Sequence, residues 1–290
     1  MPPEVMAERG PVAAAQTRAL PATPALSARN FERVSALFQN VSGIRLTAAK
    51  HALVVTRLAR LAGEAGESDL DRYVERLLAG ALPPAETTRV VDRLTTNETY
   101  FFREPEHFRH FAELLERHPE RPWRVWSGAS SSGEEIYSLA MLMADRLGQG
   151  DHRWSVLGTD LSTAMVEQGR RALYPAGRTN GIPGPYLKRY CLKGTGEHEG
   201  RLLVAGALRQ RTRFETLNLM QPLPAGHGPF DAIWLRNVLI YFDVEAKTAI
   251  VRRVLQALAP HGVLYTGHAE SLVSLGLPIR GLAPAVYVHA

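Results

Sequence analysis

Cysteine is nearly absent from this chain: Cys191 stands alone among 290 residues, which excludes an internal disulfide. No Cys/His cluster has the spacing of zinc ligands, so the sequence predicts no metal site. Long apolar runs are also missing. None approaches the ~18 residues of a membrane span. Glu4, Glu8 and Arg9 occupy the place where a secretory signal would start its apolar core. Together these absences point to a metal-free protein of the cytoplasm. No internal repeat is visible, which removes solenoids and propellers. Nothing calls for an obligate dimer, and a monomer is expected.

What is present suits a globular chain. Hydrophobic residues make up 45% and charged residues 22%, enough for a sizeable core and an ordinary surface. The length allows one large domain, or a large one with a small one. The net charge of +5 is modest but uneven. Residues 167–213 carry ten Lys/Arg against three Glu. Such a local excess fits an acidic partner; a solvated, arginine-rich surface is the plain alternative.

Residues 1–28 are rich in Ala and Pro without periodicity and read as a disordered tail. Residues 29–96 read as a small helical domain and linker. Phe31, Val34, Leu37 and Phe38 recur at helical spacing, as do Val54, Leu58 and Leu61, then Tyr73, Leu77 and Leu78. A last helix is expected at 85–94. Pro105 suits a first helical turn, and Phe108, Phe111, Leu114 and Leu115 give that helix an apolar stripe. Alternation then sets in: strand 123–127, helix 134–147, strand 154–159, helix 162–174. Residues 175–213 break it with Pro, Gly and short β-like runs at Arg201–Val204 and Thr212–Thr216. It resumes with strand 230–235, helix 245–258, strand 262–267 and a strand near 284–289. This is an α/β pattern with a mostly parallel sheet, ending in an antiparallel hairpin at one edge.

The most informative stretch is VWSGASSSGEEIYSLA, 125–140. A strand turns through Gly and Ser directly into a helix, a geometry that offers a bare backbone to a ligand. Gly128, Ser130 and Gly133 occupy the three positions of the dinucleotide fingerprint, with serine for the middle glycine. That glycine lets a pyrophosphate approach the backbone. Its absence, and the carboxylates of Glu134 and Glu135 just beyond, argue for a nucleoside ligand without phosphates. S-adenosylmethionine, with its ribose, amino group and sulfonium, fits.

Other polar residues fall at strand ends, where open α/β sheets bind ligands. Asp160 ends the second strand, 27 residues after Gly133, and is placed to accept ribose hydroxyls. Of the two glutamates, Glu135 is expected to contact the ligand while the other complements the helix dipole. Asn218 and Leu219 suit the edge and face of an adenine. In LRNVLIYF, 235–242, Arg236 and Asn237 end a strand and Tyr241 sits on the turn beyond. TTNETYFFRE, 95–104, places Asn97, Thr99 and Arg103 at the domain junction, with Phe101 and Phe102 free to dock the two domains. His268 and Glu270 of GHAES are either a buried pair or cleft residues.

These segments together resemble the chemoreceptor glutamate methyltransferases of bacterial chemotaxis, the CheR family. The markers are TTNETYFFRE, VWSGASSSGEEIYS, GTD at 158–160, NL at 218–219, FDAIWLRNVLIYFD and GHAES, in that order over about residues 30–290. The family pattern usually has proline at Ile136 and serine at Ala269; neither change removes a ligand contact. The resemblance implies a Rossmann-like SAM-dependent methyltransferase domain, 97–290, with a small antiparallel β-subdomain at about 175–213. It implies a helical receptor-recognising domain before it, with Lys50, Arg57 and Arg60 on a helix facing the receptor. It implies cofactor contacts at Asn97, Thr99, Arg103, Gly128, Glu135, Asp160, Asn218, Leu219, Leu235 and Arg236. Arg103 resembles the catalytic arginine, and Tyr241 the tyrosine facing the transferred methyl. S-adenosyl-L-homocysteine is the implied product, and methyl-accepting receptors the implied partners.

The loop KGTGEHEG, 193–200, resembles that of members binding a pentapeptide tether at the receptor C-terminus. Strand addition at an exposed edge such as Arg201–Val204 is the expected mode. Two other readings compete. A methyltransferase acting on RNA or a small molecule is compatible with the basic segment, but RNVLIYF lacks the proline expected beside a base-stacking aromatic. A non-catalytic cofactor-binding sensor would be supported by loss of Arg103 or Tyr241, and both are present.

Overall fold

The computed structural model describes residues 25–150 and 153–290. The tail expected at 1–28 lies outside these up to residue 24. Leu26–Ala28 belong instead to the first domain: Leu26 is buried in its core and Ser27 caps its first helix.

That domain contains helices α1 (Ala28–Ser42), α2 (His51–Glu64), α3 (Leu70–Leu78) and α4 (Pro84–Leu94). Its starts and stops follow from sequence. The Ser27 hydroxyl accepts from Asn30 N–H, and the Asp69 carboxylate accepts from Asp71 and Arg72 N–H. Pro84 stands in the first turn of α4, where its missing N–H costs nothing. The apolar stripes meet in one core in which Val34, Val54, Leu58, Tyr73 and Val74 are fully buried. The Tyr73 hydroxyl donates a hydrogen bond to the Glu86 carboxylate at 2.6 Å, so the one polar atom it takes inside is paired.

After helix α5 (Pro105–Arg117) the chain enters the expected alternation. Strand β1 (Trp123–Gly128) leads to α6 (Glu134–Leu147), and β2 (Trp154–Asp160) to α7 (Thr163–Arg171). Helix α7 stops three residues short of the expected end, because Ala172 turns left-handed and caps it. Leu173–Pro175 then becomes strand β3. Helix α8 (Gly184–Tyr190), β4 (Cys191–Lys193), β5 (Arg201–Val204) and the short α9 (Gly206–Arg209) follow. The chain closes with β6 (Thr212–Thr216), β7 (Phe230–Leu235), α10 (Val244–Ala257), β8 (Leu258–Thr266), β9 (Ile279–Ala283) and β10 (Val286–His289).

The main sheet has the order β6-β2-β1-β7-β8-β10-β9. Its first five strands are parallel, and β10 and β9 add antiparallel. The terminal hairpin therefore has one strand more than the sequence pattern reveals, since Ile279–Ala283 is exposed and carries no apolar alternation. Both faces of the sheet are covered. Trp123, Val125, Trp154 and Trp234 fill one side, and Trp126, Ile233, Val251 and Leu264 the other. Burial on both faces is why β1 and β7 read as near-continuous apolar runs.

Two corrections concern the segment after α7. Thr212–Thr216 is the outer parallel strand of the main sheet, not part of the insertion, because Phe214 plugs under α7 against Gly169 and Tyr137. The insertion itself is a three-stranded antiparallel sheet of order β3-β5-β4. Arg201–Val204 is thus its central strand, with partners on both sides, and cannot accept an added strand. The open edges are β3 and β4.

Candidate active site

The order of the main sheet reverses at β1, whose neighbours β2 and β7 lead to opposite sides. At such a switch point the connections after the strands part, leaving a crevice at their carboxyl ends. A cavity of about 300 Å³ lies there. Its walls come from both domains: Phe38 and Lys50 from the helical one, then 94–100, the loop after β1, and the turns after β2, β6 and β7.

The loop at 128–133 is folded onto the end of β2. Ala129 and Ser130 N–H both donate to the Thr159 carbonyl at 2.8 Å, and Ser131 N–H donates to the Asp160 carboxylate at 2.8 Å. Three successive amides that could have cradled a phosphate are already satisfied. Gly133 makes the turn into α6 at φ 94°, where a side chain would also meet Phe214 and the Tyr174 hydroxyl at about 3.0 Å. Gly158 on β2 has a different reason: a Cβ there would fall 1.6 Å from the Ile136 side chain, so glycine lets α6 sit directly on the strand.

The two glutamates face different surroundings. Glu134 is fully buried away from the cavity, bonded to the Ser132 hydroxyl at 2.6 Å and paired with Arg178 at 2.8 Å. Glu135 lines the cavity, accepting from the Ser127 hydroxyl at 2.8 Å and facing Arg236 at 3.2 Å. Burial pushes the Glu135 carboxyl above its usual range, against the pull of Arg236. A carboxylate so desolvated gains from a bound ammonium. Asp160, 7% exposed, also lines the cavity. Each of its oxygens takes one backbone N–H, from Ser131 and Ser162, leaving further lone pairs for hydroxyl donors. Burial raises its carboxyl too.

Asn97, Thr99, Arg103, Asn218, Leu219, Arg236 and Tyr241 all line the same cavity. Their roles are not uniform. Asn218 donates to the Val41 carbonyl at 2.6 Å and accepts from Met220 N–H at 2.9 Å, so it ties the end of β6 to helix α1 while keeping one N–H. Arg236 has its side chain 1% exposed and held by Glu135, by Glu104 at 3.0 Å and by the Arg103 carbonyl. These contacts make it the brace of Glu104, Glu135 and the Arg103 carbonyl at the cavity wall. Gly128 and Leu235 do not line the cavity; they pack against each other beneath it.

Arg103 lies over the Tyr100 ring and touches the Glu98 carbonyl at 3.3 Å. Its backbone is clamped, since Glu104 also accepts from Asn237 at 3.1 Å. Phe102, Glu104 and Asn237 all take left-handed backbone, with φ of 55°, 56° and 57°, which such a clamp must hold. Glu270 is buried and receives N–H bonds from Asn237, Ile240 and Gly267 at 2.6, 3.1 and 2.7 Å, fixing the turn that carries Tyr241. His268 is exposed and lies at the edge of this network, near Glu104. Of the helical-domain cations, Lys50 lines the cavity from a short turn ahead of α2. Arg57 instead caps α4 through the Leu94 and Thr95 carbonyls, and Arg60 pairs with Glu64 on the surface.

The residues fit S-adenosylmethionine. The cavity offers Asp160 for paired hydroxyls, Glu135 for an amino group, Leu217 and Leu219 for a flat base, and no free amide nest in 129–131 for phosphate. The Ser130 hydroxyl is buried on the cavity wall without a partner. Asp160→Ala is expected to weaken cofactor binding about tenfold to a hundredfold, the loss of hydrogen bonds to a charged acceptor; equilibrium binding of S-adenosylhomocysteine measures it, and an unchanged Kd contradicts the assignment.

A doubly wound sheet whose switch-point cavity carries this donor and acceptor set defines an S-adenosylmethionine-dependent methyltransferase. The chain belongs to the CheR methyltransferase family: residues 97–279 match the family's SAM-binding domain and residues 29–95 its all-alpha domain. It is similar to the chemotaxis protein methyltransferase of Salmonella typhimurium, 40% identical over 87% of this chain and 86% of that one. It is 39% identical to that of Escherichia coli, over 87% of each chain. Chemotaxis protein methyltransferase 2 of Pseudomonas aeruginosa is 36% identical over 90% of this chain and 93% of its own length.

Proposed function

We propose that the chain methylates glutamate side chains of methyl-accepting chemotaxis receptors, with Arg103 and Tyr241 holding the carboxylate. The observation that carries this is their position: both line the cavity that also presents Glu135 and Asp160. S-adenosylmethionine supplies a methyl group activated by its sulfonium. A glutamate substrate, with an ordinary pKa near ~4.3, is already an anion at neutral pH. The protein therefore has no proton to remove. Its work is alignment of the carboxylate and exclusion of water from it. Arg103 offers a guanidinium and Tyr241 a phenol O–H, both donors to an anion.

Burial keeps Tyr241 a donor by raising its pKa above the ordinary 10, with Arg103 pulling the other way. The rate of methyl transfer at saturating substrates is accordingly expected to be flat from about pH 6 to about pH 9. A slope of one across that range would signal a general base and contradict this mechanism.

Lys50 at the cavity wall adds positive charge from the helical domain, in keeping with an acidic receptor segment. A receptor tether, if this chain takes one, would add as a strand to β4, Cys191–Lys193. That edge is open, Leu192 on it is 56% exposed, and Gly194 beside it admits no side chain because the His198 carbonyl lies against it. The protein acts as a monomer in the cytoplasm on this reading; none of its described helices is long and apolar enough to cross a membrane.

The test is transfer of labelled methyl from the cofactor to receptor-rich membranes, with tRNA in parallel. Alkali-labile label on receptor is the expected result, because methyl esters hydrolyse in base. Label on tRNA alone would favour the nucleic-acid reading and overturn this one.

A further inference from the structure

We propose that Glu104, His107 and His268 form a binding site for one borderline divalent cation of the Zn²⁺ type, outside the cofactor cavity. One oxygen or nitrogen from each lies within 4.8 Å of the others. His107 Nδ1 stands 3.5 Å from Glu104 Oε2. Two ligands on a tetrahedral ion at ~2.0–2.1 Å are about 3.4 Å apart, so this pair is already spaced for one. None of the three lines the cavity.

The second observation is His107 itself. It is 2% exposed, and neither ring nitrogen completes a well-formed hydrogen bond: Nδ1 stands 3.5 Å from Glu104 Oε2, and the ring's other polar neighbour is the Pro284 backbone. A buried imidazole so loosely satisfied is costly, and an unfilled ligand role accounts for it. His268 is exposed and stacks edge-on to His107 with ring centroids 4.8 Å apart. It gives solvent access and is free to close by side-chain rotation. Two imidazoles with one carboxylate suit Zn²⁺, Co²⁺ or Ni²⁺ and not the oxygen-preferring Mg²⁺ or Ca²⁺.

Such an ion would not be neutral toward the enzyme. The Glu104 oxygen that faces His107 is the one held by Arg236 at 3.0 Å. A cation there competes with Arg236 and loosens its grip on the Arg103 carbonyl. Occupancy should therefore slow methyl transfer. This second step rests on the catalytic reading of Arg103; binding itself does not. The ligands come from residues 104–107 and 268, too far apart for linear spacing to show a site.

The experiment is calorimetric titration of untagged protein with Zn²⁺ alone, and with Mg²⁺ as control, on wild type and His268→Ala. His268→Ala changes an exposed residue outside the cavity, so its metal-free activity is expected to match wild type. One saturable Zn²⁺ site in wild type, lost in His268→Ala and silent to Mg²⁺, is the expected result. No saturable site in wild type, or equal binding in the variant, overturns the proposal. Zn²⁺ should also slow wild-type methyl transfer at least about tenfold, reversibly with chelator, while sparing His268→Ala. Binding without slowing overturns the coupling to Arg103. Absence of receptor methylation by metal-free wild type would count against the catalytic reading alone, since the titration decides the site independently.

Discussion

Arg103→Ala is expected to lower turnover on receptor about a hundredfold while changing cofactor affinity less than about tenfold. The magnitude follows from removing one charge-assisted donor to the reacting carboxylate. The split follows from the geometry. Asp160 and Glu135, proposed for the ribose and amino ends, are held by hydrogen bonds and an ion pair that do not involve the Arg103 side chain. The turn at 103–104 is held through the Arg103 carbonyl and the Glu104 carboxylate, which the substitution leaves in place. The variant should therefore fold and bind cofactor. Single-turnover methylation at saturating cofactor checks the first number, and S-adenosylhomocysteine binding the second. Arg103→Lys keeps a charge but not the forked donor and should recover only part of the rate. Unchanged turnover in Arg103→Ala would remove this residue from the chemistry.

Arg236→Ala should cost about 3–5 kcal/mol of stability, the usual penalty for removing one partner from a buried ion network. Its guanidinium bridges Glu104 and Glu135 and packs over the Trp234 and Phe108 rings. Without it, two half-buried carboxylates lose their counter-ion, and the 102–104 turn, with left-handed backbone at Phe102 and Glu104, loses its clamp. Urea unfolding followed by tryptophan fluorescence measures the loss. Arg236→Lys should recover only a fraction, because an ammonium is a point charge and cannot replace the planar fork that meets both carboxylates and the carbonyl. A loss below about 1 kcal/mol for Arg236→Ala would show that these carboxylates find other partners.

The parallel core was legible because burial on both faces writes apolar runs such as Ile233–Leu235, and because Gly133 and Pro105 mark where helices begin. The bulk of the cavity was legible because polar residues at strand ends and in the helix turn after a strand have few reasons other than ligands; Asp160, ending β2, and Glu135, opening α6, both line it. Leu235 and Gly128 also end strands, yet their side of the chain packs together beneath the cavity. Glu104 and Glu270 were harder to assign. Glu104 acts on the Arg236 and Asn237 side chains and Glu270 on the Asn237 backbone N–H, all more than 30 residues away, and no local spacing encodes that. The central position of Arg201–Val204 was hidden for a similar reason, because strand order in a small antiparallel sheet depends on which distant segments return beside it.

A crystal structure of the protein with S-adenosyl-L-homocysteine tests the central claim most directly. The ribose hydroxyls are predicted on Asp160, the amino group on Glu135, the adenine against Leu217 and Leu219, and the thioether sulfur open toward Arg103 and Tyr241. A ribose bound away from Asp160, or a sulfur screened from Arg103 and Tyr241, would contradict the account.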